Sequence, residues 1–410
     1  MSFEMPFISG AITRLPDAQM QIASFGIVSS ISLVIESPVI GLLPTSTALS
    51  SSTNNFKKLK NFTLLLMAST TLIHILFGWS SLFDLVVIEW MDVPISLSEP
   101  TRLGMRLMVF WSAAIAWRRF TQGILIRYGK TKFVGQGTII RLASSAGTAL
   151  VLTFLKQLPG IAMATLALEA GVLSEAIFAH FIARKTIKEK FSNSIDTELT
   201  EPLTYKALIQ FHWPLAATNL IFLAARPLVS TALARGQNPI DDLAVWPVIS
   251  SLLFIVRAPA MALPEVVIAL HDKQKDRWIL RSFCLSIGAV LTILMIAFGF
   301  SPLSHFYLEK LIGLSKELGE LGIPGMQIAI FLPIITSLLN FYRGSLSAVK
   351  RTLPITIGTI LEVTGISLIL ILGQIFSAPG IQTAALALTF GILIDTILLY
   401  LYYRKTTKDA

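Results

Sequence analysis

The sequence predicts an all-α integral membrane protein of about twelve transmembrane helices, arranged as two parallel-repeat six-helix lobes. Three observations predict it. Of 410 residues, 54% are hydrophobic and only 14% are charged, where a soluble domain carries roughly 25%. Apolar runs long enough to cross a hydrocarbon core of about 30 Å recur along the whole chain. The second half repeats the pattern of the first. The runs are continuous and lack the two-residue alternation of a barrel strand, so helices are the spanning form.

Taken in order, the runs cover 1–13, 19–49, 61–83, 102–126, 133–155, 159–183, 204–234, 241–270, 279–306, 322–349, 353–377 and 380–403. Lys57, Lys58 and Lys60 follow the second, Arg127, Lys130 and Lys132 the fourth, and Arg184, Lys185, Lys188 and Lys190 the sixth. Lys273, Lys275, Arg277 and Arg281 follow the eighth, Lys350 and Arg351 the tenth, and Arg404, Lys405 and Lys408 the last. The intervening loops are poor in Lys and Arg, and one, "LFDLVVIEWMDVPISLSEP", is acidic. The positive-inside rule then places both termini in the cytoplasm, in a cell (inner) membrane. Orientation accounts for the net charge of +9, so nucleic acid is not expected as a partner. The expected lobes are 1–186 and 204–410, joined by a cytoplasmic linker at 187–203.

The repeat is the most specific signal. "RPLVSTALARGQNPIDDLAVWPVISSLLFIVRAP" lies without a gap on "MPFISGAITRLPDAQMQIASFGIVSSISLVIESP", placing Pro227 on Pro6, Arg235 on Arg14 and Pro259 on Pro38. Gly344 and Gly358 fall on Gly123 and Gly137 at the same offset of 221 residues, and Gly391 falls on Gly171 at 220. Six spans per half keep both halves in the same orientation, related by an axis along the membrane normal. The helical stretch from Tyr205 to Arg226 precedes Pro227, whereas only residues 1–5 precede Pro6. The first helix is therefore expected to be incomplete at its start, with Met1 an internal methionine of a longer frame or a start site that cuts the helix. A genuine short re-entrant segment is the alternative.

In the second half, "FHWPLAATNLIFLAARPLVS", "PEVVIALHDK", "FYRGSLSAVKRTLP" and the closing "YYRK" resemble the progressive ankylosis protein family, and "IAWRRFTQGILIRYGKTKFVG" in the first half is similar. The resemblance is thin in each segment and spread over nearly the whole chain. It implies membership of the superfamily of multidrug and toxin extrusion transporters and lipid-linked oligosaccharide flippases, with two six-helix lobes facing a central cavity. It also implies export of anions such as pyrophosphate, nucleotides or citrate. The long acidic tail of animal members is absent here.

An ionisable residue deep in a span costs about 2.5–3.5 kcal/mol on insertion scales, so each needs a partner or a purpose. Glu36 occupies the repeat position of Arg257, and Arg141 that of Glu362. Opposite charges at equivalent sites are expected either to gate between the lobes or to form static pairs that satisfy buried charge. Arg226, beside Pro227 in mid-span, is the expected substrate ligand, because a guanidinium recognises carboxylate or phosphate in a planar, bidentate way. Its alternative role is to neutralise Glu4. Asn219 and Asn340 are candidate cavity liners, or interhelical hydrogen-bonding groups.

Glu265 matches an acidic position of the resembled family and is a candidate for coupling to a cation, proton or sodium. Glu175 and Asp395, equivalent and both acidic, are expected to serve packing within each lobe. His212 with Trp213 reads as an interfacial amphipathic pair. Cys284, the single cysteine, reads as a small buried apolar residue. No catalytic, metal-binding or nucleotide-binding signature is present. The expectation is a transporter with no cofactor, embedded in the lipid bilayer, with a small anionic substrate. A cation-coupled drug exporter and a lipid-linked oligosaccharide flippase are the alternatives.

Overall fold

A computed structural model describes residues 4–191, 203–270, 277–349, 351 and 353–408. Among these residues the chain is helical and contains no strand. The helices are α1 (Glu4–Ile12), α2 (Ala18–Ile40), α3 (Leu42–Leu49), α4 (Thr53–Trp79), α5 (Ser98–Leu107), α6 (Trp111–Arg127), α7 (Lys132–Leu155), α8 (Gly160–Phe191) and α9 (Tyr205–Ala234). They continue with α10 (Pro239–Met261), α11 (Leu263–Leu270), α12 (Arg277–Phe300), the three-residue α13 (Leu303–His305), α14 (Lys316–Ile328), α15 (Leu332–Ala348), α16 (Leu353–Ile375) and α17 (Gly380–Lys408).

Among the described residues ten helical segments are long and apolar enough to cross a membrane, and the protein is a multi-pass integral membrane protein. Two expected runs are not among the ten. The first forms only the nine residues of α1. The fourth is interrupted at 108–110 into α5 and α6 and carries Arg102, Arg106, Arg118 and Arg119.

The breaks repeat. α5 gives way to α6 at 108–110, and α14 to α15 through a 3-10 turn at Ala329–Phe331. α2 breaks from α3 at Gly41, and α10 from α11 at Ala262. π-helical turns at Asp84–Trp90 and Phe306–Ile312 also correspond. In each half, a side chain at the start of one span caps a later helix. Gln21 accepts a hydrogen bond from the Ile161 amide at 2.9 Å, and its equivalent Asp242 accepts from that of Ile381. Both amides lie in a first helical turn, where no intrahelical acceptor exists.

By its contacts the chain divides into two units, one comprising 14–90 and 95–223, the other 2–13, 91–94 and 224–410. The division falls inside α9, not in the expected linker. Residues 187–191 of that linker continue α8, and 192–202 lie outside the described residues.

In the first unit α8 packs along α6 and α7, while α3 and α4 cover α6. α7 shows how sequence sets this layer. Gly137, Arg141, Ser145 and Ala149, spaced by four, are buried, while Ile139, Leu150, Val151 and Phe154 are exposed apolar side chains suited to lipid. Pro38 interrupts the ladder of α2 because it has no N–H. The Val34 carbonyl it leaves accepts instead from Ser37 Oγ at 2.7 Å, and Pro38's own carbonyl takes His212 Nε2 at 2.9 Å. His212 also meets Thr45 Oγ1 at 3.0 Å and is 3% exposed. The expected interfacial pair is thus corrected. Only Trp213 is exposed, and His212 fastens the start of α9 to the break between α2 and α3.

In the second unit α17 packs along α16 and α15, and α15 against α11 and α12. α1 also belongs here. Ile8 and Ile12 are fully buried, and Thr13 Oγ1 donates to the carbonyls of Gly10 and Ile312. Close crossings need glycine at the same place in both halves. A Cβ on Gly123 would lie 1.7 Å from Ser46 Oγ, and one on Gly344 2.8 Å from Val267 Cβ. Cys284 is buried and free.

Candidate functional site

Each unit buries a charge cluster at repeat-equivalent positions. In the first, Glu175 on α8 is 1% exposed. Arg118 on α6 donates to its Oε2 at 2.5 Å, and Gln122, one turn further, donates to Oε1 at 2.9 Å. Arg141 on α7 reaches the same carboxylate at 3.9 Å, and its guanidinium lies 5.6 Å from the Trp111 ring centroid. Trp111 Nε1 in turn donates to Glu36 Oε2 on α2 at 3.0 Å. Arg119 lies within electrostatic range of both Glu36 and Glu175. Three arginines therefore surround two carboxylates.

In the second unit the acid is Asp395 on α17, fully buried. Arg343 on α15 donates to Asp395 Oδ2 at 2.5 Å, to Glu362 Oε2 at 3.3 Å and to Thr359 Oγ1 at 3.4 Å. Arg257 on α10 donates to Thr336 Oγ1 at 2.9 Å and lies within electrostatic range of Glu362, Arg226 and Arg343. Two arginines meet two carboxylates here, and Arg226 joins the group through Arg257. Buried ion pairs of this kind persist only when hydrogen bonds satisfy the remaining lone pairs, as they do here for Glu175.

Each expected site residue can now be placed. Glu36, Arg141, Arg257 and Glu362 all find partners inside their own unit. Arg226 is exposed on α9 and is the member of the second cluster farthest along the chain from its acids. Asn340 is buried on α15, three residues before Arg343, and Glu4 is buried on α1 of the same unit. Asn219 is half-buried on the part of α9 assigned to the first unit. Glu265 is exposed and lines an open cleft of about 370 Å³ with Phe254, Ala258, Met261 and Ala262, at the break between α10 and α11.

No protein-family model and no curated protein matches the chain. Solved structures do. A multidrug resistance MATE family transporter of the MOP superfamily, in an inward-facing conformation, superposes with a TM-score of 0.77 at 11% identity over 100% of this chain and 95% of its own. The chain has the MATE fold. The lipid II flippase MurJ, inward closed, gives 0.75 at 12% identity over 98% of this chain and 86% of its own. A point mutant of the Vibrio cholerae MATE transporter VcmN gives 0.65 at 14% identity over 100% and 96%.

Within this MATE fold several functional candidates escaped sequence reasoning. Arg118 and Arg343 stand in segments quoted above only for their family resemblance. The repeat held a usable signal, because Gln122 and Arg343 are equivalent and precede their acids by 53 and 52 residues. Glu169 on α8 also went unremarked. It is 6% exposed, and neither carboxylate oxygen has a hydrogen-bond partner among the described residues. Its repeat equivalent is Thr389, whose hydroxyl donates to the Ala385 carbonyl at 2.8 Å. Ser144 donates to the Ala170 carbonyl at 3.2 Å, which sets Ser145 of α7 level with Glu169. Ser145 Oγ is buried and likewise lacks a partner among the described residues.

Proposed function

We propose that this chain is a secondary-active or facilitative membrane transporter, working by alternating access between two lobes and exporting organic or phosphorylated anions. It is not an enzyme in this reading. It sits in the inner cell membrane with both termini cytoplasmic, an orientation that the Lys and Arg of its loops support.

The observation that carries the anion is the arginine excess of both clusters. Arg226, exposed on α9, and Arg257, half-buried on α10, lie within electrostatic range of one another. Two positive charges held near one another on neighbouring helices favour an anion between them. Two guanidinium groups offer the bidentate donors that carboxylate and phosphate accept. Asn219, Asn340 and Glu4 complete the proposed substrate set. Glu36, Arg257, Arg141 and Glu362 act as gating residues, and Glu265 takes part in coupling. A MOP superfamily transporter from Pyrococcus furiosus, at TM-score 0.63, is described as having a binding pocket of reverse polarity. The sign of the pocket therefore has to be read from each chain's own residues.

A second reading, favoured by Glu169, is a cation-coupled drug exporter or a lipid-linked oligosaccharide flippase; the neighbours include a multidrug resistance MATE family transporter and the lipid II flippase MurJ. A carboxylate buried without a partner is a natural place for a proton or sodium ion to bind and leave.

Liposomes containing the protein decide between them. Uptake of labelled citrate, pyrophosphate and ATP is expected, and Arg226→Ala is expected to lower it at least tenfold while Arg226→Lys retains part of it. Absence of anion flux from a folded protein, together with proton-driven efflux of an organic cation that Glu169→Gln or Glu36→Gln abolishes, would establish the second reading instead.

A further inference from the structure

Arg281 stands in the second turn of α12, half-buried, and its Nε is buried without a hydrogen-bond partner among the described residues. No carboxylate of the described residues pairs with it. α12 crosses α15 where a Cβ on Gly288 would lie 2.9 Å from Ile334 Cα, which sets Arg281, two turns before Gly288, level with Tyr342, two turns after Ile334, and the two lie within electrostatic range. Tyr342 is in turn packed against Tyr400 and Tyr403 of α17, at ring-centroid distances of 5.7 and 5.4 Å. Phe341 closes the group at 5.3 Å from Tyr342 and 5.5 Å from Tyr403. Around it Trp278 is 63% exposed and Tyr400 37%, and Arg404 and Lys405 are exposed one turn beyond.

A lone interfacial arginine ordinarily extends into water along its flexible stem. Here the base of the guanidinium is enclosed, so the side chain is held beside the tyrosines. Helix packing does not demand this arrangement. The repeat equivalents of Arg281, Tyr342, Tyr400 and Tyr403 are Lys60, Thr121, His180 and Ala183, and Lys60 is exposed. The first unit packs different aromatics there, Phe56, Phe120 and Phe191 among them, with Lys190 over Tyr128, so the arginine and tyrosines of the second unit are its own feature, at the end of the helices where aromatic belts and basic residues meet headgroups.

We propose that Arg281, with Tyr400 beside it and Tyr342 and Tyr403 packed behind, binds the phosphate of an anionic phospholipid headgroup. The guanidinium supplies charge-assisted donors to phosphate oxygens, the Tyr400 hydroxyl supplies a further donor, and its ring covers the glycerol backbone, while Tyr342, 2% exposed, is the buried wall of the notch. The site is independent of the substrate reading, since none of its residues belongs to either charge cluster.

The test uses the full chain in neutral detergent, with phosphatidylglycerol, phosphatidylcholine or inorganic phosphate added. Retained lipid is followed by native mass spectrometry and the midpoint of thermal unfolding is measured alongside. Phosphatidylglycerol is expected to remain bound and raise the midpoint, while phosphatidylcholine does so far less. Arg281→Gln is expected to weaken that retention at least fivefold, and Arg281→Lys to restore part of it. Tyr400→Phe, which leaves packing intact, is expected to weaken retention by a smaller factor. Equal retention by wild type and Arg281→Gln overturns the proposal. Equal protection by inorganic phosphate also overturns it, by showing a free-anion site.

Discussion

The two units hold their central acid in the same slot by different means. In both, a carboxylate of the last helix lies against a glycine of the preceding one. Glu175 faces Gly137, and Asp395 faces Gly358. In both, the helix preceding that hairpin supplies the cation. In the second unit, however, the guanidinium is Arg343, whereas the equivalent Gln122 is neutral and the charge comes from Arg118, one turn earlier. Glutamate is one methylene longer than aspartate, so the same slot accommodates a donor set displaced along the helix. The slot is a property of the repeat, and the cation's register is a property of each lobe. That displacement leaves the first unit with adjacent arginines, 118 and 119, and the second with a single arginine spanning two acids.

The sharpest way to break this comparison is to remove each cation. Arg343→Ala strands Asp395 and Glu362 together, whereas Arg118→Ala leaves Glu175 with Gln122 and with Arg141 nearby. Losing one partner of a buried pair costs about 3–5 kcal/mol. Arg343→Ala is expected at the upper end of that range and Arg118→Ala below it, as read from thermal unfolding in detergent. Equal losses would mean that the two donor sets are energetically the same.

Next in size are the glycines. A Cβ on Gly358 would stand 1.9 Å from Asp395 Oδ1, while one on Gly137 would come no nearer to Glu175 than 3.3 Å, at Cγ. Gly358→Ala is expected to destabilise by about 1–3 kcal/mol, the usual range for overpacking, and Gly137→Ala by less than half as much. The reverse order would show that the two slots are not equivalent.

Transplanting the register is a third test. The double change Arg118→Leu with Gln122→Arg gives the first unit the second unit's arrangement and is expected to recover most of the thermal stability that Arg118→Leu alone loses, since Glu175 keeps a charged partner. Failure to fold would show that Glu175 requires its cation one turn earlier. The smallest expected effect lies at the helix caps. Gln21→Ala and Asp242→Ala each remove the acceptor for an orphan amide, for about 0.5–2 kcal/mol. The aspartate is expected to matter more because a charged acceptor also meets the helix dipole.

Much of the fold was legible because membrane helices must be apolar, continuous and turned by charged loops. The repeat offset, carried by Pro6 with Pro227 and Gly137 with Gly358, also survives as matching breaks and caps. The break at 108–110 was not legible, since "MVF" holds neither proline nor glycine, the residues that mark a helix break in sequence. His212 was misread because its partners, Thr45 and the Pro38 carbonyl, lie far away in sequence. Within the site, the acids drew notice by their equivalence. Their arginines escaped it because one turn of displacement puts Arg118 opposite Leu339 and Arg343 opposite Gln122. A search for matched charges passes over such a pair.

The interrupted helices have one more consequence. A continuous helix in a bilayer keeps its central amides from deuterium longest, and its ends fray first. Where α2 stops at Gly41, α5 at 108–110, α10 at Ala262 and α14 at 329–331, the ladder is cut inside the span. These four runs are expected to take up deuterium earliest at the interruption, while α8 and α17 retain the ordinary profile. Isotope exchange would then report each break as a fast band inside a slow helix, at the same place in both halves of the chain.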